Sequence, residues 1–255
     1  MAGVLAGVLR RVGRGRTTRG VRMALRELRT ELRISRLHRA SVKRARLYDG
    51  RTGLMLNLGC GPNLKAGWIN VDLSPDAELH LDLREPLPFA DGSVAMIYSE
   101  HFFEHLSYAS AYESGAWSAL EVPGHPSEVM TLLRESFRAL MPDGVFSVAL
   151  PDAERVVRAY AAGDREVFAA DARVHPEWCD TPMHHVNFTF RQGREHKYAY
   201  DAETLTRILQ SAGFVSVVRR SFDPALDSEG RSLGTLYMEG RKPAPDSPRS
   251  PSSGA

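Results

Sequence analysis

The sequence predicts an α/β fold built on a mostly parallel sheet, and three observations predict it. Short apolar runs at residues 54–58, 68–71 and 79–83 end in a two-glycine turn or at an acidic residue. A helical stripe, Val129, Leu133, Phe137 and Leu140, is spaced to lie on one face of a sheet. Finally, 43% of the 255 residues are hydrophobic, enough for one sizeable α/β domain with extensions.

Residues 1–48 form a basic arm, and the spacing of Val21, Leu25, Leu28 and Leu32 predicts an amphipathic helix from residue 21 to about 47. The domain proper, 49–241, opens with Leu54-Met55-Leu56-Asn57-Leu58, which breaks into Gly59-Cys60-Gly61-Pro62-Asn63. A second run ends Asn70-Val71-Asp72, a third is Leu79-His80-Leu81-Asp82-Leu83, and a fourth, 94–99, runs into Glu100-His101-Phe102-Phe103-Glu104-His105. Pro126 stops the chain before a helix that Ser127 caps. The turn Leu140-Met141-Pro142-Asp143-Gly144 precedes a fifth strand, 145–150, which Pro151-Asp152 ends. Asp201 opens a helix ending Ala212-Gly213-Phe214, with two strand-like runs behind it. Residues 107–125 and 163–200 read as long excursions, which inside a compact domain are usually lids or binding surfaces. Residues 242–255, rich in Pro and Ser, read as a disordered tail.

Two crossovers are short. Gly59 and Asp72 leave room for one helical turn at most, and 73–78 for less, whereas a parallel crossover normally holds a dozen residues or more. The chain also lacks the Gly-x-Gly-x-x-Gly fingerprint, which argues against an NAD-binding oxidoreductase.

The net charge of +2 hides an asymmetry. Residues 1–48 carry fourteen Lys or Arg against Glu27 and Glu31, and the remainder carries nineteen against twenty-nine acids. The arm's helix is expected to pack on the sheet face left bare by the short crossovers. The alternatives are attraction to an anionic membrane or lipid-linked substrate, and a transit peptide or extended start. Nucleic-acid binding is disfavoured, because no aromatics interleave with the arginines. Cys60 and Cys179 are too few for a disulfide framework or a cysteine zinc site, and no apolar run nears a membrane span. A cytoplasmic protein is expected, membrane-peripheral at most through the arm.

Glycine at a strand end lets a backbone approach a ligand, and an acid at the neighbouring tip accepts hydrogen bonds from both ribose hydroxyls. The Leu56-Asn57-Leu58-Gly59-Cys60-Gly61 opening and the Glu100-His101…Glu104-His105 segment together make the chain resemble the class I S-adenosylmethionine-dependent methyltransferases, over residues 54–241. The likeness is greatest to a small bacterial branch. It implies a Rossmann-like seven-stranded sheet whose last strand runs antiparallel, and S-adenosylmethionine as cofactor. It also implies that Asn57, Gly59, Gly61 and Ser99 lie along the cofactor, Asp72 at the ribose, and Asp82 and Leu83 at the adenine. Asn57, where the family usually has an acid, and Asn63, where it has glycine, depart from the pattern.

Methyl transfer to a hydroxyl needs a base with a pKa near neutral, which makes histidine the first candidate. His101 is expected as base or acceptor-positioning group, with Glu104 orienting an imidazole and His105 beside it. A helix-capping role for both histidines is the plain alternative. His101-Phe102-Phe103-Glu104-His105 also matches the inverted zinc peptidase pattern, but no downstream glutamate stands out as third ligand, and no metal is expected. His184, His185, His196, Arg191 and Arg194 either line an acceptor pocket or form a solvated polar loop. Asp152 faces the acceptor or caps a helix. The acceptor implied is an oxygen on a saccharide, cell-envelope precursor or secondary metabolite. The competing reading is a non-catalytic cofactor-binding scaffold.

Overall fold

The computed structural model describes residues 18–109 and 127–244. The start of the arm, most of the first excursion with Tyr112 and Trp117, the Pro126 stop and most of the tail lie outside the described residues.

Among the described residues the sheet has six strands: β1 (Leu54–Leu58), β2 (Ile69–Val71), β3 (Val94–Glu100), β4 (Leu140–Pro151), β5 (Val215–Arg219) and β6 (Thr235–Arg241), in the order β2-β1-β3-β4-β6-β5. β2, β1, β3 and β4 run parallel, with Leu58 opposite Val71 and Ser99, and Ser99 opposite Val148. β6 runs antiparallel to β4 and to β5. Leu56, Leu58, Val71, Ile97, Phe146 and Val148 are fully buried, which explains the near-continuous apolar composition of these strands.

Among the described residues there are six α-helices: α1 (Arg19–Ala45), α2 (Glu128–Ala139), α3 (Ala153–Ala162), α4 (Arg165–Asp171), α5 (Pro182–Arg191) and α6 (Ala202–Ser211). Ser127 Oγ accepts from Met130 N–H at the start of α2, and the Asp201 carboxylate from Thr204 N–H at the start of α6. The α2 stripe is buried at Val129, Leu133 and Leu140.

Four expectations need correction. A seventh strand at 79–83 is reduced to one bridge, Val71 to Leu79, because β2 offers only three residues to pair with. The backbone of that segment is completed from α1: His80 N–H donates to Ser41 Oγ at 2.8 Å and Asp82 N–H to His38 Nδ1 at 3.1 Å. Helix side chains thus cover a sheet edge. Secondly, α1 does not lie along a sheet face by its apolar stripe. Only Ser41 and Ala45 are buried, while Val21 and Leu28 are 48% and 46% exposed. Thirdly, the excursion 163–200 contains α4 and α5. Asp164 accepts from Glu166 and Val167 N–H, and Thr181 accepts from His184 N–H ahead of Pro182, so both helices start with ordinary caps. Lastly, the turn expected at 140–144 is incorporated into β4 as an irregularity, with Asp143 at φ +61°.

Candidate active site

The parallel strands end together, and their tips are tied by side-chain hydrogen bonds. Asn57, buried at the end of β1, donates from Nδ2 to the Asn63 carbonyl and to Asn70 Oδ1, both at 2.9 Å. Its neutral amide therefore sews the glycine loop to β2, where a carboxylate has no N–H to give. Ser99 Oγ donates to the Leu58 carbonyl at 3.0 Å and joins β3 to β1. Asp72 accepts from Gly61 N–H on Oδ2 at 3.0 Å and from Ser74 N–H on Oδ1 at 2.7 Å. Each Asp72 oxygen retains a second lone pair for a ligand hydroxyl. Cys60 fills the loop interior, where burial and then the Asp72 charge push its thiol up to about 12.

Gly59 has φ +66°, and a Cβ built there would collide with Phe102 Cγ. The missing side chain is thus taken up by the Phe102 ring. Gly59→Ala meets both the left-handed backbone cost and an overpacked contact, so it is expected to destabilise the fold by about 2–4 kcal/mol. Urea unfolding measures this, and a loss under about 1 kcal/mol contradicts the contact.

Asp72, Asp82, Leu83, Phe102, His105 and Leu106 line a cavity of about 140 Å³ at these tips. The Asp82 carboxylate takes three N–H groups of Arg84, at 3.0, 2.9 and 2.8 Å, which leaves little of it for an adenine amino group. Burial pushes the Asp82 carboxyl up, but the hydrogen bonds and charge of Arg84 outweigh it and hold it below its ordinary value. Arg84 also bonds Glu31 of α1 at 2.8 Å, so the arm braces this wall.

A second cavity, of about 350 Å³, lies past the end of β3 and includes His101, Glu104, His105, His196, Arg155 and Arg231 in its lining. His105 lines both cavities and forms their common wall. His101 sits in the left-handed region at φ +51°, with Nε2 2.9 Å from Thr235 Oγ1. Glu104 is buried in a 3-10 turn, Phe103–His105, with Oε1 3.5 Å from His101 Nδ1 and 4.0 Å from His105 Nε2. Among the described residues neither histidine caps a helix, and the caps of the 3-10 turn are Phe102 and Leu106. Burial lowers the pKa of His196.

The other expected residues divide. Asp152 caps α3 by accepting from Arg155 N–H and pairs with Arg219 at 2.9 Å. His184 pairs with Asp180 at the surface, and His185 is buried 2.9 Å from His175. Arg191 and Arg194 line a separate cavity of about 400 Å³, which His196 also borders. Sequence reasoning missed the cluster behind β3. Tyr98 Oη donates to Asp227 at 2.9 Å, Arg220 pairs with Asp227, and Glu100 accepts from Ser228 N–H at 2.9 Å. Burial, then the charges of Glu100 and Asp227, raise the Tyr98 phenol far above its ordinary value. Lys65 stands over the Tyr98 ring at 4.5 Å. Tyr98 and Asp227, like Glu100 and Ser228, are too distant in the chain for any local pattern to join them.

No protein-family model matches the chain, and no curated protein matches it. Solved structures similar to it include a SAM-dependent methyltransferase from Archaeoglobus fulgidus, at 17% identity and TM-score 0.44, covering 80% of this chain and 94% of that one. Another is a possible exported protein from Bordetella parapertussis, at 15% identity and TM-score 0.41, covering 80% and 67%. A third is the citrinin polyketide synthase CMeT domain, at 13% identity and TM-score 0.42, where 77% of this chain spans 48% of the other.

Proposed function

We propose that the chain is an S-adenosylmethionine-dependent methyltransferase acting on an oxygen of a saccharide, a cell-envelope precursor or a secondary metabolite. The reading is carried by the shared wall at His105: a cavity edged by Asp72, Asp82 and Leu83 adjoins a polar, histidine-rich one. The residues fit the adenosyl half of the cofactor. Asp72 keeps lone pairs for ribose hydroxyls, and Leu83, Phe102 and Leu106 give apolar walls for a purine. Beyond Gly59 the Phe102 ring occupies the approach, so the methionine end is reached when that side chain turns. When bound, the cofactor supplies an electrophilic methyl group. The chain's own part is to hold an acceptor hydroxyl in the larger cavity and take its proton at His101 Nδ1. Arg155, held by Asp171 at 2.8 Å, and Arg231 make that cavity suited to a polar acceptor.

Contact of the arm with an anionic membrane or lipid-linked acceptor belongs to the same reading. Val21, Met23 and Leu28 are exposed on α1 among its arginines. No helix of the described residues is long and apolar enough to cross a membrane.

Thermal unfolding with S-adenosylmethionine, S-adenosylhomocysteine and NAD tests the proposal. Both adenosyl sulfur compounds are expected to raise Tm and NAD is not, since only a ligand of the native state stabilises it. Asp72→Ala is expected to weaken S-adenosylhomocysteine binding by about 1–3 kcal/mol, the scale of lost hydrogen bonds to a charged group. Binding without turnover across a broad acceptor panel favours the scaffold reading, to which the Phe102 ring over Gly59 lends support.

A further inference from the structure

Three imidazoles surround the Glu104 carboxylate, and none gives it a hydrogen bond. Glu104 is 2% exposed, and neither carboxylate oxygen has a hydrogen-bond partner among the described residues. His105 Nδ1 lies 3.1 Å from the Glu195 carbonyl oxygen, and His196 Nδ1 lies 2.7 Å from that of Thr189. A carbonyl only accepts, so each Nδ1 carries the proton and the lone pair of the neutral ring falls on Nε2. His101 reaches the same condition by another route. Thr235 Oγ1 gives its hydrogen to the Arg231 carbonyl, so it accepts from His101 Nε2 and leaves the lone pair on Nδ1, 3.5 Å from Glu104 Oε1. Acceptors thus face acceptors around a buried carboxylate, which is costly unless a cation joins them. A histidine whose second nitrogen donates to a backbone carbonyl is also held as metal-bound histidines are.

The geometry points to a divalent-metal site of the zinc type formed by Glu104, His105 and His196. One carboxylate oxygen and one ring nitrogen from each histidine lie within 4.8 Å of one another. Ligand bonds of about 2.0–2.2 Å set tetrahedral donors roughly 3.3–3.6 Å apart, so binding draws the three together by only about an ångström. Two imidazoles and one carboxylate with a fourth position open is a donor set of catalytic zinc. All three residues line the larger cavity, from which that position is reached. The His-x-x-Glu-His spacing does not act here as a helical zinc motif, because only a single 3-10 turn is present. The third ligand comes instead from the segment after α5. His175, Cys179 and His185 also lie close together, but His175 and His185 share a hydrogen bond of 2.9 Å, so that pair satisfies itself.

Held by Glu104, His105 and His196, the ion would supply Lewis-acid chemistry that eases loss of an acceptor hydroxyl's proton, and His101 Nδ1 would receive that proton. That role rests on the methyl-transfer reading, whereas ion binding does not. The test uses the tag-free full chain, stripped with a chelator, dialysed against Zn²⁺ and then against metal-free buffer, with zinc measured by elemental analysis. About one ion per chain is expected, with Glu104→Gln, His105→Ala and His196→Ala each binding at least about tenfold more weakly and Cys179→Ser unchanged. Zn²⁺ is expected to raise the Tm of the native chain but not of His196→Ala, and circular dichroism confirms that each variant folds. Substoichiometric zinc in the native chain, at fewer than about one ion in ten chains, overturns the site, as does loss of the ion in Cys179→Ser alone. Zinc bound to a chain that ignores S-adenosylhomocysteine upholds the site while the methyl-transfer reading falls.

Discussion

Arg220→Ala is expected to lower the stability of the native chain by about 3–5 kcal/mol, because it strips the partner from a carboxylate that stays buried. Arg220 bonds Asp227 through both terminal nitrogens, at 2.6 and 2.7 Å, reaches Ser147 Oγ at 3.0 Å and lies over the Tyr237 ring. The Asp227 side chain has no exposure and that of Arg220 has 13%. Equilibrium urea unfolding reads the loss directly, and a change below about 1 kcal/mol contradicts the pairing. Burial pushes the Asp227 carboxyl up, but Arg220, the Asp223 amide and Tyr98 outweigh it and hold it below its ordinary value. A carboxyl depressed in the folded state stabilises fully above the unfolded value of about 4, and that contribution is lost as pH falls through the lower folded value. The stabilities of native chain and variant are therefore expected to converge in acid.

His101→Asn is expected to lower kcat by roughly 10²–10⁴-fold on a methyl acceptor, while binding of S-adenosylhomocysteine stays unchanged. Asparagine is chosen because it tolerates the left-handed backbone that His101 adopts at φ +51°. His101 lines the larger cavity but not the one edged by Asp72 and Asp82, so turnover and cofactor affinity separate cleanly. The rate of S-adenosylhomocysteine formation measures the first and titration calorimetry the second. An unchanged kcat removes His101 from proton transfer.

What the sequence disclosed and what it hid follow from the range of the interactions. β1, β3 and the caps at Ser127 and Asp201 rest on neighbours a few residues away, and apolar periodicity with one capping side chain announces them. The segment 79–83 alternates as a strand does, yet its pairing depends on the length of β2 and on α1, so its reduction to one bridge is a tertiary effect. α4 and α5 were legible after all: Asp164 and Thr181-Pro182 are ordinary helix starts that the length of the excursion obscured. The place of Asp72, just past the end of β2, follows from parallel strands ending on one side of a sheet, and Asp82 borders the same cavity from the 79–83 segment. The ion pair that Arg84, bound to Asp82, makes with Glu31 is not legible locally, since Glu31 arrives from α1. Likewise His196 meets Glu104 only through the fold of the segment after α5.

Titration calorimetry of S-adenosylhomocysteine into the native chain and into Asp72→Ala tests most directly whether the strand tips hold an adenosyl group. Saturable binding near one per chain is expected, weakened by about 1–3 kcal/mol in the variant. No heat of binding, or equal affinity in the two proteins, contradicts it.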